Sequence, residues 1–424
     1  MTAVIAILNK SGLVMAADSA VTVNGFNSKK IYNTANKIFT LSKFHPVGIM
    51  IYSSSNFMTT PWETIIKLYR KKIGSNAFDS LNDYKNDFIK FLRDNNFFTS
   101  LDSQKFYNES FIYSQLNIFK NDTVDSLDEN IDDDQLEIEF NIVLKEKIEI
   151  IIETYSETDE KLEDFKTYCL TDFESYINDS FDKVSDLVFN YPKINDENKQ
   201  LIIKLLYLFY RSTNFISQET GLVFGGFGDK EIYPSVISLK VSEVVDNKLR
   251  YKDDLSDNIS DLNNGSILPY AQTDVMNMFI KGIDPVFENT FVDIFRKFVT
   301  DYNESIKNMA FPISTDLAEN IDKFDINALV LQFQNEIQKY KRENQINPTV
   351  NTVSILSKED LAEMAESLIY LTYMKRRISS NEESVGGPID VAIISKGDGF
   401  IWKKRKHYFD ENLNKHFMHN YFNV

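Results

Sequence analysis

The chain opens with the apolar runs AVIAIL (residues 3–8) and LVMAA (residues 13–17), which are separated by NKSG (residues 9–12). Two short apolar runs joined by a polar, glycine-containing turn are typical of a β-hairpin. Neither run alternates with polar residues, so we expect both faces of the hairpin to be buried. A hairpin of this kind needs cover above and below, which favours a layered α+β fold.

The rest of the chain alternates between strand-like and helix-like segments. The further strand predictions are residues 37–41, 47–52, 221–252, 389–394 and 399–402. One helix is expected to begin at Pro61, and others cover about 272–300, about 326–343 and 358–377. Ser357 and Asp360 are predicted to cap the last of these helices.

The net charge of −17 belongs to one segment. Residues 76–220 contain 31 Asp and Glu against 14 Lys and Arg, whereas the rest of the chain contains 32 of each. Apolar residues recur there at helical spacing, so we predict an acidic helical insertion. The acidity argues against nucleic acid as a partner, because phosphates are bound by Lys and Arg.

The composition limits which cellular compartment and which cofactors are expected for this protein. A single cysteine, Cys169, excludes an internal disulfide framework and fits a reducing compartment. No apolar run reaches the roughly 18 residues of a membrane span, and the start lacks the apolar core of a signal peptide. We therefore expect a cytoplasmic protein without a membrane contact. With four histidines and no cysteine cluster, we predict no metal and no cofactor.

Thr2 is the candidate nucleophile. A hydroxyl attacks poorly unless a base lies beside it, and a threonine at a chain terminus carries its own base, the free α-amine. The pKa of an α-amine is about 8, so the amine can accept the hydroxyl proton near neutral pH. This chemistry requires removal of Met1, which a small second residue permits.

Asp18 and Lys37 are the candidate supporting residues. Asp18 ends the second apolar run, so in a hairpin it can lie close to the first strand. Lys37 precedes another strand-like run. A lysine held by Asp18 near Thr2 lowers the pKa of the α-amine and of the hydroxyl. An ordinary ion pair at a strand end is the alternative interpretation of these two residues.

These segments resemble the opening of proteasome β-type subunits and of the bacterial HslV-type peptidases. Those proteins begin Thr-Thr-x-x-Gly-Ile and continue with Gly-Val-Val-x-Ala-Ala-Asp and Lys-Ile-Phe or Lys-Ile-Tyr. This chain has TAVIAI at residues 2–7, GLVMAADS at 12–19 and NKIF at 36–39. At the other end, GGPIDVAII at residues 386–394 is similar to the closing strands of the same family.

The resemblance implies an N-terminal nucleophile hydrolase fold, a four-layer αββα sandwich enlarged by the acidic insertion. The implied segments are the first sandwich part (1–75), the acidic helical insertion (76–220), the sandwich continued (221–300), a second helical insertion (301–350), the closing helix and strands (351–405) and a tail (406–424).

The resemblance also assigns roles to single residues. Thr2 is the nucleophile, and Asp18 with Lys37 forms the supporting charge pair. Val21 and Thr22 lie on the edge that pairs with an extended substrate through backbone hydrogen bonds. The side-chain pocket falls at Val21, Ala35, Phe39 and Ile51, so an apolar pocket is expected; plain core positions are the alternative for Ala35 and Phe39.

Several positions depart from the family pattern. Ser53 stands where the family has a glycine whose backbone N–H helps to stabilise the oxyanion. The family's later serine, near a Gly-Ser-Gly turn, falls near Gln272 or Thr273. Its Asp-x-x-Ser before the glycine pair corresponds to EESV at residues 382–385, which gives Glu382 the carboxylate role and Ser384 the hydroxyl role.

Three functions follow as hypotheses. The first is a threonine peptidase that acts on a peptide or protein substrate, assembles as a homo-oligomer and has an ATP-dependent unfoldase as a conceivable partner. The second keeps the Thr2 nucleophile but acts on a small-molecule amide. The third is an inactive scaffold that retains the fold for assembly, motivated by Ser53 and by the altered serine positions.

Overall fold

The computed structural model describes residues 2–24, 29–94, 98–128, 131–157, 160–379, 385–407, 409–410, 412–416 and 419. These residues form two compact units. The first lies within Met1–Ile38, Ile232–Ser235 and Asp257–Val424, and the second consists of Phe39–Glu231 and Val236–Ser256.

Fifteen strands are found among the described residues. They are β1 (Val4–Asn9), β2 (Gly12–Ala17), β3 (Val21–Asn24), β4 (Lys29–Tyr32), β5 (Ile38–Thr40), β6 (Val47–Ser53), β7 (Asn56–Phe57), β8 (Thr60–Pro61), β9 (Thr220–Gly226), β10 (Ser235–Val245), β11 (Lys248–Asp253), β12 (Asp257–Asn258), β13 (Gly265–Ala271), β14 (Asp390–Ser395) and β15 (Gly399–Lys404).

Twelve α-helices are found in the same part of the chain. They are α1 (Trp62–Ile73), α2 (Leu81–Asp94), α3 (Leu101–Val124), α4 (Asp133–Glu157), α5 (Leu170–Val188), α6 (Asp196–Arg211), α7 (Thr273–Lys281), α8 (Pro285–Ala310), α9 (Thr315–Asp322), α10 (Ile326–Lys341), α11 (Asn347–Ile355) and α12 (Lys358–Ile378). A π-helical turn, Arg342–Ile346, joins α10 to α11.

The first unit is built on a five-stranded sheet in the order β13-β1-β2-β14-β15, in which all neighbours are antiparallel. The predicted hairpin is confirmed: β1 and β2 pair from Val4 with Ala17 to Asn9 with Gly12. Every residue of both strands is buried, as their unbroken apolar runs predict. Apolar side chains of the hairpin share a core with residues of α7, α11 and α12. β1 is therefore an interior strand of this sheet.

The second unit contains a sheet in which β11, β10, β9, β6 and β5 are neighbours in that order. The side chains of α1 and α2 pack with this sheet in one core, and α3 to α6 form a second core with each other. Helices α2 to α6 occupy the acidic segment, where helical periodicity was expected. Both units thus combine antiparallel sheets with helices, which is the mixed class that the sequence predicts. The four-layer arrangement stays a prediction.

The helix predicted at about 272–300 is interrupted. α7 ends at Gly282, which has a left-handed backbone (φ 73°) and donates its N–H to the carbonyl of Met278. α8 then begins after Asp284, whose carboxylate accepts from the N–H groups of Val286 and Phe287. A left-handed glycine ends the first helix, and a new N-cap starts the second. The helix is therefore interrupted although the apolar periodicity continues.

The predicted capping of the last helix is confirmed. The hydroxyl of Ser357 accepts from the N–H of Asp360, and the carboxylate of Asp360 accepts from the N–H of Ser357. Such reciprocal bonds satisfy two backbone donors that a helix start leaves open. The cap fixes the start of α12, the helix that packs on the hairpin.

Gly387 lies in the turn that leads into β14. Its φ is +76°, and a Cβ placed there would come within 2.8 Å of the Cβ of Asn33 and 2.9 Å of its carbonyl oxygen. A larger residue is therefore excluded both by backbone conformation and by space. Gly397, in the turn between β14 and β15, has open space around it.

We expect Gly387→Ala to lower the free energy of unfolding by about 2 kcal/mol, because it combines left-handed strain with a backbone contact. Gly397→Ala is the matched control and should be close to neutral. Urea unfolding of the two variants beside the parent measures both values. Equal stabilities for the two variants would contradict the structural requirement for glycine at 387.

Candidate functional site

Thr2 precedes β1, the strand that lies between β2 and β13. The side chain is buried, with 6% of its surface exposed. Val4 is paired with Ala17 on one side and with Ala271 on the other. The ends of both neighbouring strands therefore flank the segment that contains Thr2.

The carboxylate of Asp18 is the centre of this region. It is 1% exposed and accepts four hydrogen bonds. Oδ1 accepts from the N–H of Ala3 at 2.9 Å and from Nζ of Lys37 at 2.7 Å. Oδ2 accepts from the N–H groups of Ala20 at 3.0 Å and Gly386 at 3.1 Å. One buried carboxylate thus joins the Thr2–Ala3 peptide, the loop after β2, Lys37 and the turn before β14.

Lys37 is almost as buried as its partner, with 6% of its side chain exposed. Besides the bond to Asp18, its ammonium group donates to the carbonyl oxygen of Ala20 at 2.5 Å. The structure therefore brings together the predicted pair and places both residues beside the Thr2–Ala3 peptide. That peptide and Lys37 donate to the same oxygen of Asp18.

A second buried pair lies near the same end of β2. Asp390, the first residue of β14, pairs in register with Ala17, directly before Asp18. Its carboxylate accepts from both the N–H and the ammonium group of Lys406. The side chains of Asp390 and Lys406 are 3% and 12% exposed. Two carboxylates and two lysines are therefore gathered at one end of β2 and β14.

Burial lowers the pKa of Lys37, because the charged ammonium form loses its hydration. The charge of Asp18 and the hydrogen bond to it act in the opposite direction, and Asp390 does so more weakly. Lys406 lowers the pKa further through like-charge repulsion. The net direction is downward, so Lys37 gives up its proton more readily than an exposed lysine.

Ser19 reinforces the same arrangement. Its hydroxyl donates to the carbonyl of Pro388 at 2.5 Å, and its N–H donates to the carbonyl of Gly386 at 3.0 Å. Its own carbonyl accepts from the N–H of Ala35 at 3.1 Å. Ser19 therefore ties the loop after β2 to the turn before β14 and to the segment that leads to Lys37.

Gln272 lies close to the beginning of β1, because it directly follows β13, which pairs with β1. Ala271, which pairs with Val4, is followed by Gln272 with a left-handed backbone (φ 51°) and then by Thr273 at the start of α7. This is the region where the resemblance places a serine. The structure has a strand-to-helix junction there, and its first residue, Gln272, carries an amide side chain.

The edge and pocket residues are placed as follows. Val21, half-buried, and Thr22 belong to β3, which pairs with β4 through Val21 with Tyr32 and Thr22 with Ile31. Ala35 is half-buried in the segment before Lys37. The β3–β4 pair forms a two-stranded sheet of its own, so the predicted substrate edge belongs to this ribbon.

Ser53, Ile51 and Phe39 lie in the second unit. Ile51 and Phe39 belong to its apolar core, with 4% and 6% of their surfaces exposed. Ser53 ends β6, is exposed and has φ 73°. Only glycine adopts this conformation without strain. Position 53 therefore has a backbone conformation that favours glycine, although the residue is serine.

Glu382 and Ser384, the other two predicted catalytic residues, lie outside the described residues. Sequence reasoning missed Asp390, Lys406 and the hydroxyl of Ser19. Asp390 was counted only as part of the closing strand, and Lys406 follows it by 16 residues in a basic tail. An acidic residue at the first position of a buried strand is the one signal that could have drawn attention to this pair.

The described part of the chain contains no cluster of three or more His, Cys, Asp or Glu residues that could hold a metal ion. In that same part, none of the helices combines the length and the hydropathy that crossing a bilayer requires.

We expect Asp18→Asn to lower the free energy of unfolding by about 3–5 kcal/mol, the cost of breaking a buried ion pair. The carboxamide replaces one acceptor oxygen with an NH2 group, which would face the N–H donors of Ala20 and Gly386. Asp261→Asn is the control, because Asp261 pairs with Lys10 at the surface. Denaturant unfolding should show a large loss for the first variant and an unchanged midpoint for the second.

The lowered pKa of Lys37 predicts a pH dependence of stability. The folded state loses the Lys37 proton below 10.5, the ordinary value, whereas the unfolded state keeps it up to that pH. Stability contributed by Lys37 therefore rises with pH across this interval. The difference in unfolding free energy between parent and Lys37→Met, followed from pH 7 upward, should increase. A difference that decreases with pH would mean that the Asp18 pair outweighs burial.

Comparison with known proteins gives matches among solved structures only. No protein-family model matches the chain, and no curated protein matches it. Among solved structures, the chain is similar to a Gly-1 mutant of Anbu from Hyphomicrobium sp. strain MC1, at 12% sequence identity. The match covers 99% of this chain and 95% of the other, with a TM-score of 0.28. A TM-score of this size does not establish a common fold.

Proposed function

We propose that the protein is a threonine peptidase that hydrolyses peptide amide bonds, with Thr2 as the nucleophile after removal of Met1. One observation carries the proposal: a single buried oxygen of Asp18 accepts from both the Thr2–Ala3 peptide and the ammonium group of Lys37. This bond pattern supports the proposal, because the charged pair contacts the peptide that follows the candidate nucleophile. It is the arrangement that the resemblance to proteasome β-type subunits implies.

The proposed reaction has two steps. The hydroxyl oxygen of Thr2 attacks the carbonyl carbon of the scissile amide, and its proton passes to the free α-amine. The C–N bond then breaks, the leaving nitrogen takes that proton, and an ester on Thr2 remains. Water attacks the ester and gives a proton to the α-amine, which returns it to the hydroxyl as the carboxylic acid leaves.

Lys37 and its neighbours would assist the proton transfers. The charge of Lys37 lowers the pKa of the nearby α-amine, so the amine is free to accept a proton near neutral pH. The lowered pKa of Lys37 itself also makes it a second group that can exchange a proton. Asp18 holds the lysine in place in both cases.

The remaining parts of the proposal come from the resemblance. The backbone N–H of Ser53 is the proposed oxyanion donor, and the β3 edge with Val21 and Thr22 is the proposed site for an extended peptide. Glu382 and Ser384 are the proposed carboxylate and hydroxyl of the supporting shell. A homo-oligomer in the cytoplasm, served by an ATP-dependent unfoldase, is the proposed setting.

The decisive experiment combines intact mass with a covalent probe for N-terminal threonine. We expect the parent to lack Met1 and to gain one probe mass on Thr2. Thr2→Ser should keep probe labelling, because it preserves the hydroxyl and the amine, whereas Thr2→Ala should lose it. Retained Met1 would block the amine and overturn the proposal.

Turnover of peptide and acyl-amide libraries then identifies the substrate class. We expect peptide hydrolysis by the parent and a loss of at least 100-fold in Thr2→Ala. Turnover of acyl-amides without any peptide cleavage would favour the small-molecule amidase. Equal behaviour of parent and Thr2→Ala in every assay would favour the scaffold.

A further inference from the structure

Helix α8 presents three different faces. One face contacts its own unit: Val292 is buried, and the ring of Phe295 stacks on Phe333 of α10 with centroids 3.9 Å apart. A second face is polar, with Asp293, Lys297 and their neighbours exposed. The third face is apolar and exposed. It consists of Phe287, Phe291, Ile294, Phe298 and Tyr302, which we call the α8 stripe; Phe291, the least exposed of the five, also contacts Phe333 of α10, with ring centroids 5.7 Å apart.

The α8 stripe is large for an exposed apolar surface. Its five side chains are 60%, 41%, 59%, 66% and 60% exposed in chain order. Because a large aromatic side chain offers about 200 Å² of surface, the stripe leaves about 500 Å² of apolar area in water. Soluble monomers rarely expose more in one patch, and such patches commonly mark interaction sites.

The stripe is also ordered along the helix. The rings of Phe287 and Phe291 are nearly parallel, at an interplanar angle of 10°, and those of Phe298 and Tyr302 meet at 8°. Spacings of four, three and four residues connect Phe287, Phe291, Ile294 and Phe298. This is the repeat with which one helix packs lengthwise against another. The occupant that the pattern suits is therefore a second helix.

The spacing is the same in both directions, so α8 is able to pack antiparallel against a second copy of itself. A copy of α8 laid antiparallel across a two-fold axis between Phe291 and Ile294 places Phe287 against Phe298 of the other copy. The same operation places Phe291 against Ile294. A surface that fits itself in this way is what an isologous dimer contact requires. Antiparallel packing also sets each helix N-terminus near a C-terminus, which favours it electrostatically.

We propose that the α8 stripe is a self-association surface, on which a second copy of this chain packs its own α8 antiparallel about a two-fold axis. Two stripes bury about 1,000 Å² of apolar area. With a polar rim, the contact falls in the range of about 1,200–2,000 Å² for stable interfaces. The proposal is independent of the chemistry at Thr2, and it specifies one contact of the expected homo-oligomer.

Sedimentation over a concentration series tests the proposal. We expect the parent to associate through pairs of copies, and Phe298→Asp to raise the dissociation constant of this contact at least tenfold. Thr300→Asp is the matched control, since it adds the same charge to an exposed position on the polar face of the same helix. It should leave association unchanged. A parent that stays monomeric up to about 100 µM would overturn the proposal, as would association that Phe298→Asp does not weaken.

Cysteine cross-linking tests the orientation and covers the case in which an acidic variant disturbs folding. The background is Cys169→Ser, which removes the single native cysteine. The double variant Phe287→Cys with Phe298→Cys should form disulfide-linked dimers on mild oxidation. Each single variant should not, because residues 287 and 298 face each other only across the antiparallel pair. Efficient cross-linking of a single variant would indicate parallel packing and contradict the proposal.

Discussion

The carboxylate of Asp18 cannot be buried without partners, and its four hydrogen bonds determine how the first unit is assembled. A charged group that is 1% exposed needs every one of its acceptor sites satisfied, because removal from water costs several kcal/mol. The donors come from the chain start, the loop after β2, Lys37 and the turn before β14. These four segments must therefore meet at one point. The left-handed backbone of Gly387 and the hydrogen bonds of Ser19 help to hold these segments together.

Local chemistry explains which parts of this arrangement the sequence predicts. The hairpin follows from two apolar runs around NKSG, and Asp18 draws attention because an apolar strand ends on a carboxylate. The Asp18–Lys37 pair is confirmed as a contact, while the catalytic roles of both residues stay predictions. The Asp390–Lys406 pair was missed, since a lysine in a basic tail gives no sign of the strand it will meet. Ser53 is a similar case. Its left-handed backbone is imposed by the surrounding structure, and a serine in the sequence gives no sign of that conformation.

Helical periodicity was informative about the existence of helices but not about what covers them. The acidic segment forms five helices, of which α3 to α6 build a core of their own, while α2 packs with the sheet. The same kind of pattern in α8 leaves aromatic rings exposed. Apolar spacing is identical whether the partner is the same chain or another, so the α8 stripe could be recognised only once the structure showed its exposure. The break at Gly282 was likewise hidden within continuous periodicity.

The bond between Asp18 and Gly386 spans 368 residues of sequence, which has a consequence for synthesis. A ribosome adds about 5–20 residues per second, so the two partners of this bond are made tens of seconds apart. Until residue 386 has emerged, the hairpin has neither its β14 neighbour nor the last donor to its buried carboxylate. Contacts of such separation also form late when a chain folds, because their closure entropy must be overcome first. A nascent chain therefore carries Thr2 for most of its synthesis without the surroundings that the proposed chemistry requires.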